Sequence, residues 1–227
     1  MDLMRFETVL VFGKTLRPPI TTTQVIHNKL GGEATSKNTL RKDVGTLIRK
    51  EKEKHAIRWD YDSCNILYED NTDHTYCIKD TVDAIEKINQ VLPINTLSSI
   101  NLKTYWILPI NGYSFKSLEI KYRDNFIRQS PIFENCVDST IVIDMEWSDR
   151  IISHQSGAMD IAQLQDQYRV FKAREDYPAL FLFLSISITN KKLLKYCDEA
   201  VGEFLTSSFD KSKTHSDGFE RIMRSIL

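Results

Sequence analysis

The sequence predicts an α+β protein: a helical front closed by one hairpin, then a rear unit with a small, mostly antiparallel sheet. Three observations predict this. The first 70 residues read as three helices followed by two alternating strands, and after residue 80 apolar runs of strand length are interleaved with helical stretches. Charge divides the chain in the same way. Residues 1–60 hold 12 Lys and Arg against 7 Asp and Glu, a balance of +5, which leaves −6 for residues 61–227 within the overall −1. A basic front and an acidic rear point to two parts.

In the front part the order is a helix over about residues 3–14, a break at Pro18 and Pro19, and a short helix from Thr22 to Leu30. A Gly31-Gly32 stop follows, then a third helix over 36–49. In that helix Leu40, Val44, Leu47 and Ile48 stand at i, i+4, i+7 and i+8, an apolar stripe for burial against the first two helices. Asn38, Lys42, Gly45 and Arg49 lie opposite, flanked by Lys37 and Arg41, and Ser36 is suited to the N-cap. Then Ile57, Trp59 and Tyr61 alternate on one face, as do Ile66 and Tyr68, with Asp62 to Asn65 as the turn of a hairpin. Three helices and a hairpin in this order describe a winged helix-turn-helix over residues 1–78, with its third helix placed to enter a major groove. A basic outer face is also what a solvated surface helix shows; the order of the surrounding elements favours DNA.

The run Ser36-x-x-Thr39-Leu40-Arg41-x-Asp43-Val44-x-x-Leu47 resembles the recognition-helix signature of DeoR-type and WYL-type bacterial transcription regulators. The preceding TTTQVIHNKLGG resembles the first helix of their helix-turn-helix, so the resemblance covers residues 4–70. It implies DNA-facing roles for Ser36, Lys37, Asn38, Thr39, Arg41 and Lys42, with Asp43 orienting its basic neighbours. The chain departs from the family in its wing, WDYDSCNILYED, and lacks a W-Y-L-type effector motif downstream. The wing is acidic, with Asp60, Asp62, Glu69, Asp70 and Asp73 around its tip. That disfavours contact with phosphates and favours contact with protein. Trp59, Tyr61 and Tyr68 read as packing aromatics rather than base-stacking ones.

Residues 79–95 read as a linker helix, from Val82, Ile85, Ile88 and Leu92 at helical spacing with Asp80 or Thr81 as cap, ending at Pro93. Residues 96–227 read as an α+β unit for dimerisation or effector sensing. Strands are expected at 103–110, 117–123, 139–147 and 179–188, and helices at 159–176, 191–205 and 218–227. Asn111-Gly112 predicts a tight hairpin turn. No internal repeat or low-complexity tract is evident.

Chemistry is sparse. Cys64, Cys77, Cys136 and Cys197 form no C-x-x-C pair and no zinc spacing, which reads as reduced thiols in a cytoplasmic protein. The N-terminus lacks a secretory pattern, and the apolar run 177–188 is too short for a bilayer. Asp138, Asp144 and Glu146 could hold a divalent ion for nuclease chemistry, but no further carboxylate or Lys motif completes the set. His154 beside Ser153 and Ser156 reads as a histidine in a surface loop, since no G-x-S-x-G elbow is present. Phosphate-binding glycine motifs are absent. The expectation is therefore a sequence-specific DNA-binding protein, a transcriptional regulator and not an enzyme. It has no cofactor, metal or catalytic residue, and its site is Ser36, Lys37, Asn38, Thr39, Arg41, Lys42 and Arg49. Double-stranded DNA is the expected partner of a homodimer, without membrane association and with the effector open. Two alternatives stand: a winged-helix docking module of a replication, segregation or defence complex, and a metal-dependent nuclease.

Overall fold

In DLMRFETVLVF the side chains of Phe6, Thr8, Leu10 and Phe12 alternate with Glu7, Val9 and Val11, and the chain uses this period as a strand, β1 (Asp2–Phe12). The computed structural model describes residues 1–13, 20–31, 39–41, 45–50, 54–60, 62–70, 73–127, 138–190 and 192–227. The helix expected over 3–14 is thus replaced by a strand. Thr8, Val9 and Val11 are stiff at χ1 and suit a pleated surface, and β1 finds a partner along both edges.

After α1 (Ile20–Lys29) come β2 (Thr39–Arg41), β3 (Gly45–Lys50), β4 (His55–Trp59) and β5 (Ser63–Glu69), each antiparallel to the next. The hairpin expected here is present as β4 and β5, and Trp59 and Tyr68 are fully buried, as packing aromatics should be. The third helix, expected over 36–49, is contradicted: the described residues of this stretch, 39–41 and 45–49, lie in β2 and β3, so among the described residues the front is sheet and not a winged helix-turn-helix. Ile48, β-branched and buried, lies across from Ile57 of β4, and cross-strand packing of that kind outweighs a helical stripe of four residues.

The second half repeats this topology. Helix α2 (His74–Asn89) leads through 90–95 into β6 (Thr96–Ile110). Then follow α3 (Phe115–Phe126), β7 (Thr140–Trp147), β8 (Arg150–Asp160), α4 (Ile161–Gln167), β9 (Leu180–Asn190), β10 (Leu194–Lys195) and α5 (Asp198–Ile226). The sheet reads β2-β3-β4-β5-β1-β6-β9-β8-β7 from edge to edge, with β10 on the end of β6. Each half is therefore an inner strand, a helix, an outer strand, two returning strands and a closing helix. In the first these are β1, α1, β3, β4, β5 and α2; in the second, β6, α3, β7, β8, β9 and α5. The inner strands β1 and β6 pair at the centre, giving an approximate twofold relation that leaves no recognisable self-similarity in the sequence.

Helices α1, α2, α3 and α5 pack on one face of the sheet. There Ile100, Leu102, Trp106, Leu108 and Ile110 of β6 meet Ile26, Ile85, Phe204, Phe209, Leu118 and Met223. Helix α3 takes the place of the strand expected at 117–123. Ser114 and Ser117 form a reciprocal capping box, and Leu118 and Tyr122, four apart, face inward. Gly112, at φ +81°, turns the chain from β6 into α3 rather than into a second strand of a hairpin. Helix α5 joins the two helices expected at 191–205 and 218–227. Its middle, TSSFDKSKTHSD, is too polar to read as helical, yet Phe209, Ser212 and Ser216 continue the inward stripe. Trp106 Nε1 donates to Ser212 Oγ at 2.9 Å and to Thr104 Oγ1 at 3.0 Å, tying α5 to β6.

Among the described residues, the opposite face is covered only where α4 and residues 168–178 cross it as a strap. Expected as one helix over 159–176, this stretch is the end of β8, two turns of α4 and then irregular chain.

A cleft on the open sheet face

The alternate residues of β1 and β6 that turn away from the helices bring Arg5, Glu7, Lys103 and Tyr105 to the middle of the open face; in register, Arg5 lies beside Tyr105 and Glu7 beside Lys103. Arg5, only 2% exposed, donates to the Gln167 carbonyl at 2.6 Å and sits 5.2 Å above the Tyr105 ring. Glu7 leans toward β5: its Oε1 accepts from Asn65 at 2.8 Å and from Arg169 at 2.9 Å. Glu69, fully buried, accepts the backbone N–H groups of Arg169 and Phe171 at 2.8 and 3.0 Å. Asp70 takes the hydroxyls of Tyr168 and Tyr177 and the Lys54 amine. These acids hold the strap onto the first half of the sheet; charge-assisted hydrogen bonds of this kind are the stronger class.

On either side of the strap the face is hollowed. Toward β4 a cleft of about 240 Å³ lies among Glu7, Leu47, Ala56, Arg58, Asn65 and Leu67. Toward β8 a cleft of about 230 Å³ is floored by Tyr105 and Phe183, whose rings stack at 5.6 Å and 4°. Gly157 makes that floor possible, because a Cβ there would lie 2.8 Å from the Ser139 carbonyl oxygen and 3.0 Å from the Phe183 ring. Around the floor stand Lys103, Thr140, Gln155, Asp138, Asp166 and Gln167. Gln163 seals one end: it completes the Asp160 capping box of α4 and donates to Asp138 at 3.2 Å. Lys103 is half-buried and, among the described residues, has neither an ion pair nor a hydrogen bond through its amine. Burial and then Arg5 draw its pKa below the usual lysine value; Glu7 opposes them and Arg169 adds to them.

Two other polar groups are sealed. His55 lies 3.2 Å from Asp80, stacked on Tyr68 at 4.3 Å, and the Tyr68 hydroxyl donates to Asp80 at 2.8 Å. His55 and Tyr68 are wholly buried and Asp80 is partly exposed, so this Asp–His–Tyr set packs β4 and β5 onto α2. His154 is not in a surface loop: it lies within β8, edge-on to His215 of α5 at 4.6 Å, with its Nε2 buried and, among the described residues, without a hydrogen-bond partner. Burial first, then His215 and Lys211, lower its pKa to about 4. Ser156 is taken up by the Tyr122 hydroxyl at 2.8 Å.

Of the residues expected to read DNA, Thr39 and Arg41 fall in β2 and Arg49 in β3; Ser36, Lys37, Asn38 and Lys42 lie outside the described residues. Tyr61 and Cys136 lie outside them too. Asp144 and Glu146 share the open face of the edge strand β7, both exposed, and Asp138 stands at the cleft; among the described residues no three His, Cys, Asp or Glu gather as a metal site. Among the same residues no helix is long and apolar enough to cross a membrane. Sequence reasoning missed Lys103, Tyr105, Gln155 and Phe183. The one available signal was polar Lys103 and Gln155 recurring in otherwise strand-like runs, which marks an uncovered face but not which strands adjoin.

No protein-family model matches the chain, and no curated protein matches it in sequence.

Proposed function

We propose that this chain is a non-enzymatic binding protein that takes a small polar ligand in the cleft between β6, β8, β9 and α4. One observation carries the reading: Lys103, Gln155, Asp166 and Gln167 converge on a floor of stacked aromatic rings without bonding to one another. An apolar floor with a few convergent polar groups is the usual form of a ligand site. Amides, an amine and a carboxylate together suit a ligand with both donors and acceptors. Screening fragments against the full chain by ligand-observed NMR tests this. Binders should lose affinity in Gln155→Ala and Asp166→Ala, both exposed positions whose truncation spares the core. Binding that survives both variants, or no binder at all, defeats the reading.

A second reading, DNA binding, is supported by composition: residues 37–54 hold seven Lys and Arg against three Asp and Glu. Thr39, Leu40 and Arg41 of the S-x-x-T-L-R-x-D-V-x-x-L motif lie in β2 and Leu47 in β3, so contact would come from the edge of the sheet and not from a helix in a groove. In fluorescence anisotropy across a salt series, Lys42→Ala should lower the salt slope by about one. A wild-type protein with no salt-dependent duplex affinity ends this reading. Self-association is proposed through the outer edge of β7, where Val142 and Ile143 are exposed, and sedimentation velocity checks it. Free Cys64, Cys77 and Cys197 support a reducing, cytoplasmic setting.

A further inference from the structure

Among the described residues, the middle of the open face gathers three cations, Arg5, Lys103 and Arg169, and two carboxylates, Glu7 and Glu69. Both carboxylates are turned away from the β8 cleft. Glu7 is held by Asn65 and Arg169 and borders the opposite cleft, and Glu69 is filled by two strap N–H groups. Arg5 is spoken for by the Gln167 carbonyl and the Tyr105 ring. Of these cations Lys103 alone lines the β8 cleft; among the described residues no carboxylate bonds its amine, and Glu7, beside it in register, acts on it only through its charge. The acids that line this cleft, Asp138 and Asp166, are exposed at its rim, and Asp138 already accepts from Gln163. A partly desolvated cation beside two others is costly to leave unpaired, and an incoming anion supplies what the protein has left out.

We infer that the cleft binds its ligand through an oxyanion, a carboxylate or phosphate group, seated against the Lys103 amine, with the ligand's remaining body over the Phe183 edge of the aromatic floor. This rests on the ligand-binding reading above and specifies the chemistry of that site. Lys103 contributes a charge-assisted hydrogen bond to the oxyanion, and Gln155 and Gln167 lie within the same cleft to donate amide N–H groups. The rim acids set a preference: a ligand with an anion at its inner end and a donor or cation at its outer end satisfies both, whereas a polyanion meets Asp138 and Asp166.

The test titrates the full chain with inorganic phosphate and, separately, with acetate by calorimetry, in wild type, Lys103→Met and Lys103→Arg. The two probes distinguish phosphate from carboxylate as the seated group. Wild type should bind at least one of them, Lys103→Met should bind it at least tenfold more weakly, and Lys103→Arg should stay within about threefold. Lys103→Met should also melt higher than wild type in anion-free buffer, because it removes one of three crowded cations and keeps the stem's packing; a variant that unfolds at lower temperature would contradict the crowding argument. Equal affinity in wild type and Lys103→Met, or no binding of either probe by wild type, overturns the inference. In that case the cleft reading stands or falls separately, on the fragment screen and the Gln155→Ala and Asp166→Ala variants.

Discussion

Gly157 shows how one residue sets the site. Its missing side chain lets the Ser139 carbonyl and the Phe183 ring close to distances that a methyl group forbids, and a backbone carbonyl cannot move aside cheaply. Gly157→Ala should therefore destabilise the fold by about 1–3 kcal/mol, as overpacking does, and weaken ligand binding at the β8 cleft; chemical denaturation and the fragment titration measure the two effects. His154 carries a different consequence. Its pKa is about 4 in the folded chain against 6.5 for a free histidine, so on acidification the unfolded state takes up the proton first. Stability should fall as pH drops from about 6.5 toward 4 and level off below, and His154→Leu should flatten most of that slope. His215, also lowered by burial and by Lys211, contributes a smaller change of the same sign. Urea midpoints between pH 7 and pH 4.5 decide the matter; an unchanged slope in the variant would remove His154 from the account.

At the scale of elements, the strap is the feature to perturb. It crosses the open face without regular structure beyond α4, and its position depends on acids that accept its N–H groups and hydroxyls. Glu69→Ala should leave the backbone N–H groups of Arg169 and Phe171 without their acceptor and cost about 1–2 kcal/mol. Amide exchange should then rise at Arg169 and Phe171 well before it rises in β9. Uniform exchange throughout would mean that the strap and the sheet open together. Elements also show how much could be read in advance. Helix α1, the hairpin β4–β5, and strands β6, β7 and β9 follow from local pattern, and the linker helix is the later part of α2, which begins at His74 under an Asp73 cap. Segments 3–14, 36–49 and 117–123 are ambiguous in sequence because a few apolar residues fit both a helical and an alternating pattern. Such a tie is broken by pairing with strands that are distant in sequence, or, for α3, by a capping box and by the sheet face that Leu118 and Tyr122 cover. Polar Lys103 and Gln155 mark an uncovered face, but the cleft itself is not legible, since Lys103, Gln155 and Phe183 become neighbours only when β6, β9 and β8 lie side by side.

For the whole molecule, the seam between β1 and β6 decides how the parts depend on one another. These strands pair over nearly their full common length, joining residues 1–78 to 96–227 in one sheet. Residues 96–227 expressed alone would expose the β6 edge, an unpaired apolar strand of the kind that aggregates. That fragment should be insoluble by itself and recovered soluble when 1–95 is co-expressed; a soluble, cooperatively melting fragment would show that the rear half folds independently. Local pattern alone yields an inventory: the balance of charge, the inward stripes of α2 and of the two ends of α5, the apolar strands and the packing role of Trp59 and Tyr68, all consequences of periodicity and burial. That the front half is sheet, that two halves share one topology and that Lys103 faces a cleft emerges on folding, because strand order and register arise from contacts between residues far apart in the chain.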